Sequence, residues 1–470
     1  MKHLIKLYII FFLSILTLYG CAQDTFKENV DEKNDTHPAI SENLVSNFDF
    51  EKDVDLTKTS IFSQNNWSYV GGWNEAKGNV QQLINRGING SRCLAFIAPS
   101  EDVDIKVGQR ITGLKPNTYY KATARIKTED VQNGRGAHIS LDYLWAPTSE
   151  GVTGTKDWTT VSLEIDEVPA SGIINLCVRL GNTAAASRGV AYFDNIILKE
   201  NKDLYVRESE HFKIIIDKKN VSVSEDVVTE WLGNLDSVYK SLVTLFSGRK
   251  PFNGRKMVIR QAKINAWAYA GEPIQWNENY ISSELLSLNK GNWSFGIMHE
   301  TGHNFASHIA GGNRSWNWNE EIFANFRMYY ALEQLNGVVV INASVPDGKG
   351  GYKNDEKKYV GSEIKTLYKS ETSNCYDRTI GVGSTAENGN AVCWTLIRIQ
   401  ERYGWDIFIK AFDELYKLPQ NTEEEKNWSQ WQKFEYFLSF LSKYAGEDVR
   451  TTTYSKNELD VIKRSLEILK

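Results

Sequence analysis

Two histidines and a glutamate stand close together in the segment His-Glu-Thr-Gly-His, which runs from His299 to His303. Side chains four residues apart lie on the same face of a helix, so both imidazoles can reach one ion. Glu300 stands beside the first histidine and can serve as the base for a zinc-bound water. The segment therefore predicts a hydrolytic site with Zn²⁺ between His299 and His303.

A catalytic zinc takes three protein ligands and keeps one position open for water or substrate. Glu320 and Glu321 are both candidates for the third ligand. In a helix from about Asn319, Glu321 shares a face with Asn325, whose amide can hydrogen-bond groups around the metal. We predict Glu321 as the third ligand and Asn325 as its neighbour in the hydrogen-bond network. Glu320 is the alternative ligand, and otherwise it faces outward or supports His303.

The whole chain has 470 residues, which is more than one hydrophobic core usually supports, so we expect two or three domains. Its formal net charge is −5, and no dense tract of Lys and Arg appears outside the first six residues. This composition gives no support for nucleic acid as a partner.

The N-terminus is predicted to be an export signal over residues 1–20. Lys2 and Lys6 precede an apolar stretch from Leu7 to Leu18, which is too short for an ordinary membrane span. Cys21 follows directly after a small residue and resembles the lipidated cysteine of bacterial lipoproteins. Residues 21–44 are polar and read as a flexible tether. We expect an exported protein at the bacterial outer membrane or cell surface, attached to the membrane through its lipid anchor only.

Residues 45–200 consist of short alternating runs separated by turns, which predicts an all-β jelly-roll sandwich. The runs are Ile105–Ile111, Tyr119–Ile126, Ala137–Tyr143, Thr159–Ile165, Ile173–Leu180 and Val190–Leu198.

The two ends of this block, residues 43–51 and 191–196, resemble the jelly-roll carbohydrate-binding modules of the four, nine and twenty-two type. Such modules bind sugars on exposed aromatic rings, so the resemblance implies glycan as a partner. Trp158 stands at the start of a strand and is expected in the core. The glycan-binding candidates are Trp67, Tyr69, Trp73 and Trp145, and the candidates for a structural Ca²⁺ ion are Glu51 and Asp194.

Residues 205–470 predict a mixed, mainly helical domain with strands at Phe212–Ile216 and Lys256–Arg260. Helical patterns cover Val227–Phe246, Ala391–Tyr416 and Trp428–Lys443. The predicted fold class is thus multidomain, with an N-terminal all-β sandwich followed by an α+β metallopeptidase domain.

Four stretches make this third region similar to the enhancin-type, mucin-degrading zinc metallopeptidases of the gluzincin group. They are residues 269–274, 296–304, 321–325 and 396–406. The resemblance implies zinc binding by His299, His303 and Glu321, with Glu300 as general base and acid. It implies a mucin-type glycoprotein as substrate. Family members often have Gly before the distal glutamate, where this chain has Glu320.

The same resemblance places Gly271, Pro273 and Ile274 near the substrate cleft. Oxyanion stabilisation needs a further donor, and Tyr352, Tyr359 and Tyr376 are equal candidates from the sequence.

Three functions remain open at this point. The first is a zinc endopeptidase that cuts O-glycosylated proteins, with the sandwich docking on glycan. The second is a glycan-binding lipoprotein or adhesin without catalysis, against which Glu300 argues because a binding protein needs no base. The third is a gluzincin aminopeptidase, which requires a carboxylate for the free amine of its substrate, and Glu272 is the upstream candidate. Cys93, Cys177, Cys375 and Cys393 are either free thiols or partly oxidised, with Cys375 and Cys393 closest in sequence.

Overall fold

The computed structural model describes residues 42–142, 147–166, 168–306, 314–346, 352–369 and 385–468. The chain forms two compact units that divide between Lys202 and Asp203. None of the helices among the described residues is long and apolar enough to cross a membrane. The predicted signal peptide, Cys21, Trp145, Cys375 and Tyr376 lie outside the described residues.

The N-terminal unit consists of two antiparallel sheets, with strand orders β1-β4-β8-β6 and β2-β3-β9-β5-β7. The strands are β1 Ser68–Gly71, β2 Asn79–Leu83, β3 Cys93–Val103, β4 Ile105–Ile111, β5 Tyr120–Gln132, β6 Ala137–Leu141, β7 Gly154–Ile165, β8 Ile174–Leu180 and β9 Ser187–Glu200. Alternate side chains of both sheets form one apolar core, in which the ring centres of Phe96 and Phe193 lie 4.9 Å apart. The predicted all-β sandwich is confirmed.

The aromatic candidates of this unit differ in exposure. Trp67 was a predicted glycan platform, but only 1% of it is exposed, and its indole N–H donates to the Asn47 carbonyl. That prediction is wrong, because a ring packed 5.3 Å from Phe50 in the core cannot stack on a sugar. Tyr69 packs partly buried against the same core, whereas Trp73 is 52% exposed.

Trp158, which the sequence places in the core, packs partly buried against a separate small apolar cluster of Cys93, Ala95 and Tyr192 and not against the main core of the sandwich. These residues stand on the opposite face of the five-stranded sheet, because successive side chains of a strand point to opposite sides. Cys93 and Cys177 are buried free thiols.

The predicted calcium site is not supported. The Asp194 carboxylate accepts hydrogen bonds from the Ile88 N–H and the Ser91 hydroxyl, and Glu51 accepts one from the Arg92 N–H. Neither carboxylate belongs to a group of three possible metal ligands within the part of the chain that the structure describes. Two carboxylates engaged in this way fall far short of the six to eight oxygens that Ca²⁺ requires.

The C-terminal unit begins with a five-stranded sheet of order β10-β11-β12-β14-β13. Its strands are β10 Leu204–Glu208, β11 Phe212–Asp217, β12 Met257–Ala262, β13 Ala268–Tyr269 and β14 Ile274–Asn277. Strands β11, β12 and β14 are parallel, and β13 pairs antiparallel with β14 at the edge. Among the strands that the structure describes, none pairs with the other side of the short strand β13.

Helices make up most of the remaining unit, as predicted. They are α1 Glu225–Leu245, α2 Glu278–Leu288, α3 Phe295–Asn304, α4 Glu320–Leu335, α5 Thr385–Tyr403, α6 Asp406–Leu415, α7 Glu423–Lys426, α8 Gln430–Ala445, α9 Val449–Thr453 and α10 Lys456–Ile468. A hairpin of β15 Val338–Pro346 and β16 Tyr352–Val360 follows α4. The Tyr359 side chain packs against the core of this unit.

The single helical pattern predicted over Ala391–Tyr416 is two helices in the structure. Gly404 has a φ of +75°, and its N–H donates to the Gln400 carbonyl at 2.7 Å, which ends α5. The apolar periodicity continues into α6 because both helices bury residues in the same core. The spacing of apolar residues alone could not show this break between α5 and α6.

Helices α3 and α4 approach closely at Gly302. A Cβ atom placed there would lie 2.8 Å from the Ala324 carbonyl oxygen, which is shorter than real Cβ contacts. This contact explains why a glycine stands in the middle of α3 despite its low helix propensity. The absence of a side chain lets the two helices that carry the site touch.

We therefore expect Gly302→Ala to destabilise the protein by about 1–2 kcal/mol, because overpacking costs more than the gain in helix propensity returns. Gly233, in the middle of α1, is the matched control, since a Cβ there meets no atom within 4 Å. Gly233→Ala should stabilise the protein by about 0.5–1 kcal/mol. Chemical unfolding of both variants measures the two changes, and equal stabilisation by both would contradict the close contact.

Candidate metal centre

Helix α3 presents both histidines on one side, one turn apart. The Ser294 hydroxyl caps the helix by accepting a hydrogen bond from the Ile297 N–H. The Nε2 atoms of His299 and His303 lie 3.0 Å apart, and the two rings are nearly perpendicular, at 89°. Both ring nitrogens thus point toward one location in front of the helix.

Helix α4 brings Glu321 to the same location. Its first turn is capped by Asn319, whose side chain accepts hydrogen bonds from the N–H groups of Glu321 and Ile322. The Glu321 Oε2 atom lies 3.1 Å from the His299 Nε2 atom and 3.4 Å from the His303 Nε2 atom. Within the described ranges, these three side chains form the one group that could hold a metal ion.

The three donor atoms fit tetrahedral zinc. Ligand atoms about 2.0–2.1 Å from Zn²⁺ at the corners of a tetrahedron lie about 3.3–3.4 Å apart. The observed separations of 3.0, 3.1 and 3.4 Å are close to that value. Two imidazoles and one carboxylate are also a donor set that zinc accepts, and they leave the fourth corner open.

Each histidine is oriented through its other ring nitrogen. The Nδ1 atom of His299 lies 2.9 Å from the Asn325 Oδ1 atom, an arrangement in which Nδ1–H donates and the Nε2 lone pair stays free for a metal. The Nδ1 atom of His303 lies 3.4 Å from the Glu320 Oε1 atom. Glu320 therefore sits behind His303, on the side away from Glu321, and not among the three converging donor atoms.

The carboxylates make the location favourable for positive charge. Burial alone would lower the pKa of His303, but hydrogen bonds with Glu320 and Glu321 raise it to about 10. Burial would likewise raise the pKa of Glu320, yet Arg327 and His303 lower it to about 2. The negative charges of Glu320 and Glu321 thus favour a positive charge between the two imidazoles, and either a proton or a metal cation can supply it.

Glu300 is buried beside the three ligands, with 5% of it exposed. Burial is the main cause that raises its pKa, while His299 and His303 oppose the shift. The N–H of Ala270, which directly follows edge strand β13, donates a hydrogen bond to its carboxylate. A carboxylate with a raised pKa is suited to take up and release a proton near neutral pH.

The loop after β13 is tied to the ligand helix. The Gly271 N–H donates to the Asn304 Oδ1 atom at 2.9 Å, and the Asn304 amide donates back to the Gly271 carbonyl at 3.2 Å. Gly271 thus lies next to the site, and Pro273 follows in the same loop. Ile274 comes next in the chain, where it begins strand β14 and is fully buried in the core.

Sequence reasoning missed three residues of this site: Arg327, Asn304 and Ala270. Arg327 pairs with Glu320, Asn304 holds the loop, and Ala270 contacts Glu300. Asn304 directly follows His303, and Arg327 lies seven residues, or about two helical turns, after Glu320. The charge of Arg327 inside an otherwise apolar helical stripe was the one available signal.

Comparisons of the fold show similarity to a putative sugar-binding protein from Bacteroides thetaiotaomicron, with 13% identity over 34% of this chain and 100% of that chain and a TM-score of 0.27. TmCBM61 in complex with β-1,4-galactotriose is 17% identical over 34% of this chain and 100% of that chain, with a TM-score of 0.24. The CBM22-1 xylan-binding domain of Paenibacillus barcinonensis Xyn10C is 13% identical over 34% of this chain and 94% of that chain, with a TM-score of 0.22.

No curated protein matches the chain in sequence. A family description does match, over residues 193–451, and it reads peptidase M60, enhancin and enhancin-like. This stretch contains every residue of the site described above, and it confirms the resemblance to the enhancin-type peptidases. Because the match spans more than half of the 470 residues, the chain belongs to the peptidase M60, enhancin and enhancin-like family.

Proposed function

We propose that this protein is a zinc-dependent endopeptidase that hydrolyses peptide bonds of O-glycosylated proteins such as mucins. The observation that carries the proposal is the convergence of the His299, His303 and Glu321 donor atoms beside the buried Glu300. Zn²⁺ held by these three residues would polarise the scissile carbonyl and acidify a water.

The chain's own residues account for the proton transfers. Glu300 accepts a proton from the attacking water and donates it to the leaving amine. Its raised pKa favours holding the proton between these two steps. The Ala270 N–H fixes the carboxylate and links it to the end of strand β13.

The edge position of strand β13 favours cleavage inside a peptide chain over removal of its first residue. The outer edge of β13 offers main-chain donors and acceptors to an extended peptide, which can continue past both ends of so short a strand. An aminopeptidase needs a free carboxylate for the substrate amine, and Glu272 was the candidate. Its carboxylate is instead paired with the Arg255 guanidinium at 2.7 Å. This pairing favours the endopeptidase over the aminopeptidase.

The substrate class and the location rest on the family and on the rest of the chain. The N-terminal sandwich has an exposed Trp73 that can serve as a sugar platform. We propose the order signal peptide 1–20, tether 21–44, glycan-binding sandwich 45–200 and peptidase 205–470. Lipid on Cys21 would hold the protein at the bacterial outer membrane or cell surface.

The test is mass-spectrometric mapping of fragments from a mucin-type glycoprotein before and after removal of its O-glycans. We expect internal cleavage of the glycosylated form, at least tenfold slower cleavage after glycan removal, and full activity on substrates with a blocked N-terminus. Binding without fragments would favour the adhesin instead. Loss of cleavage on N-terminal blocking would favour the aminopeptidase.

A further inference from the structure

Arg327 is a fully buried arginine in the middle of α4, with none of its side chain exposed. Its guanidinium carbon lies 5.6 Å from the Phe246 ring centre and 5.7 Å from that of Phe323. Moving a guanidinium out of water costs several kcal/mol. In these aromatic surroundings an apolar side chain would pack without that cost, so the charge calls for an explanation beyond packing.

The arginine has one acidic partner among the described residues. Its Nη1 and Nη2 atoms both donate to the Glu320 carboxylate, the second at 3.4 Å. The Asn317 amide donates to the same carboxylate. Two residues, Arg327 and Asn317, thus donate hydrogen bonds to the Glu320 carboxylate, which also lies 3.4 Å from the His303 Nδ1 atom.

Arg327 also reaches the ligand helix directly. Its Nη1 atom donates to the Gly302 carbonyl at 3.1 Å. Gly302 is the residue before His303, and its missing side chain is what lets α3 and α4 touch. One guanidinium therefore fixes the backbone next to His303 and, through Glu320, the ring of His303.

The pairing also affects the charge of the metal site. Zn²⁺ with two neutral imidazoles and Glu321 carries a net charge of about +1, and an unpaired Glu320 behind His303 would cancel it. The Arg327 charge offsets that of Glu320. The carboxylate can then accept the His303 hydrogen bond without cancelling the positive charge that a bound Zn²⁺ would supply to the site.

We propose that Arg327 is a positioning residue for the metal ligand His303, acting through Glu320 and the Gly302 carbonyl. It holds the imidazole toward the metal and balances the Glu320 charge. The inference rests on the proposed function, because it takes Zn²⁺ to be what His303 binds. It assigns to the pair of Glu320 and Arg327 a role in metal affinity and not in folding alone.

The test uses the double variant Glu320→Gln, Arg327→Met in the full chain. Removing both charges avoids the unpaired buried charge that either single change would leave. We expect the metal-free variant to unfold at a temperature close to that of the metal-free wild type. Its zinc affinity, measured by competition with a chelator, should fall about 10- to 100-fold, as is typical when the hydrogen-bond partner of a metal-binding histidine is mutated.

A second pair near the same aromatic residues provides the matched control. Arg249 lies 5.5 Å from the Tyr416 ring centre and pairs at 3.0 Å with Asp413, a residue of α6. Asp413→Asn, Arg249→Met should leave zinc affinity unchanged. The visible absorption of Co²⁺-substituted protein should change in the first double variant and not in this control, since it reports ligand geometry.

A purely structural role predicts the opposite result. The first double variant would then unfold at a lower temperature while its zinc affinity stayed within twofold of the wild type, and the proposal would be overturned. A wild-type protein that binds zinc but cleaves no protein would refute the proposed peptidase function and leave this inference standing. A wild-type protein that binds no zinc would refute both.

Discussion

Replacing Glu300 with glutamine should reduce the rate of peptide hydrolysis by about 10²- to 10⁴-fold while bound zinc stays at one ion per chain. Glutamine has nearly the same shape and still accepts the hydrogen bond from the Ala270 N–H. It cannot take up a proton from water. The loss therefore separates the proposed acid and base role of Glu300 from metal binding, which the proposed function assigns to His299, His303 and Glu321.

The measurements are kcat on a glycopeptide and the zinc content of the purified variant. Glu284→Gln is the matched control, because Glu284 is a second glutamate whose pKa is raised by burial. Its partners are Asn292 and Ser294 near the start of α3, and not the metal ligands. The control should keep wild-type kcat. Hydrolysis by Glu300→Gln at the wild-type rate would show that another group carries the proton.

The convergence of the three candidate ligands was predictable from their spacing in the sequence. His299 and His303 are fixed by helix geometry alone, since residues four apart share a face. The position of Glu321 needed only the assumption that a second helix begins near Asn319, and that residue is the cap of α4. Local rules of helix periodicity and capping therefore carry most of the arrangement of the three ligands.

The features that the sequence did not predict depend on contacts between elements that are distant along the chain. The role of Glu320 follows from the buried Arg327 and from the approach of α4 to Gly302. The aromatic residues of the sandwich show the same limit, because Trp67 lies in the main core and Trp158 packs outside it against a separate small cluster. Which face of a strand is covered depends on the opposing sheet, and periodicity within one strand does not identify that sheet.

Replacing Glu321 with alanine should lower zinc affinity by more than about 100-fold, which exceeds the usual cost of losing a ligand's hydrogen-bond partner. The variant removes the one anionic donor, whose Oε2 atom lies 3.1 Å and 3.4 Å from the two imidazole nitrogens. Hydrolysis should be lost together with the metal. Chelator competition measures the affinity, and metal analysis after dialysis gives the occupancy.

The neighbouring glutamate makes this prediction specific. The double variant Glu320→Gln, Arg327→Met removes the neighbouring carboxylate behind His303 and leaves no unpaired charge in the core. If Glu321 is the ligand, Glu321→Ala weakens zinc binding well beyond this double variant. The reverse order would make Glu320 the ligand. That outcome would require α4 to turn by about 100°, the angle between successive residues of a helix, and would separate Asn325 from His299. The tight contact of Gly302 with Ala324 opposes such a rotation, because it fixes which face of α4 meets α3.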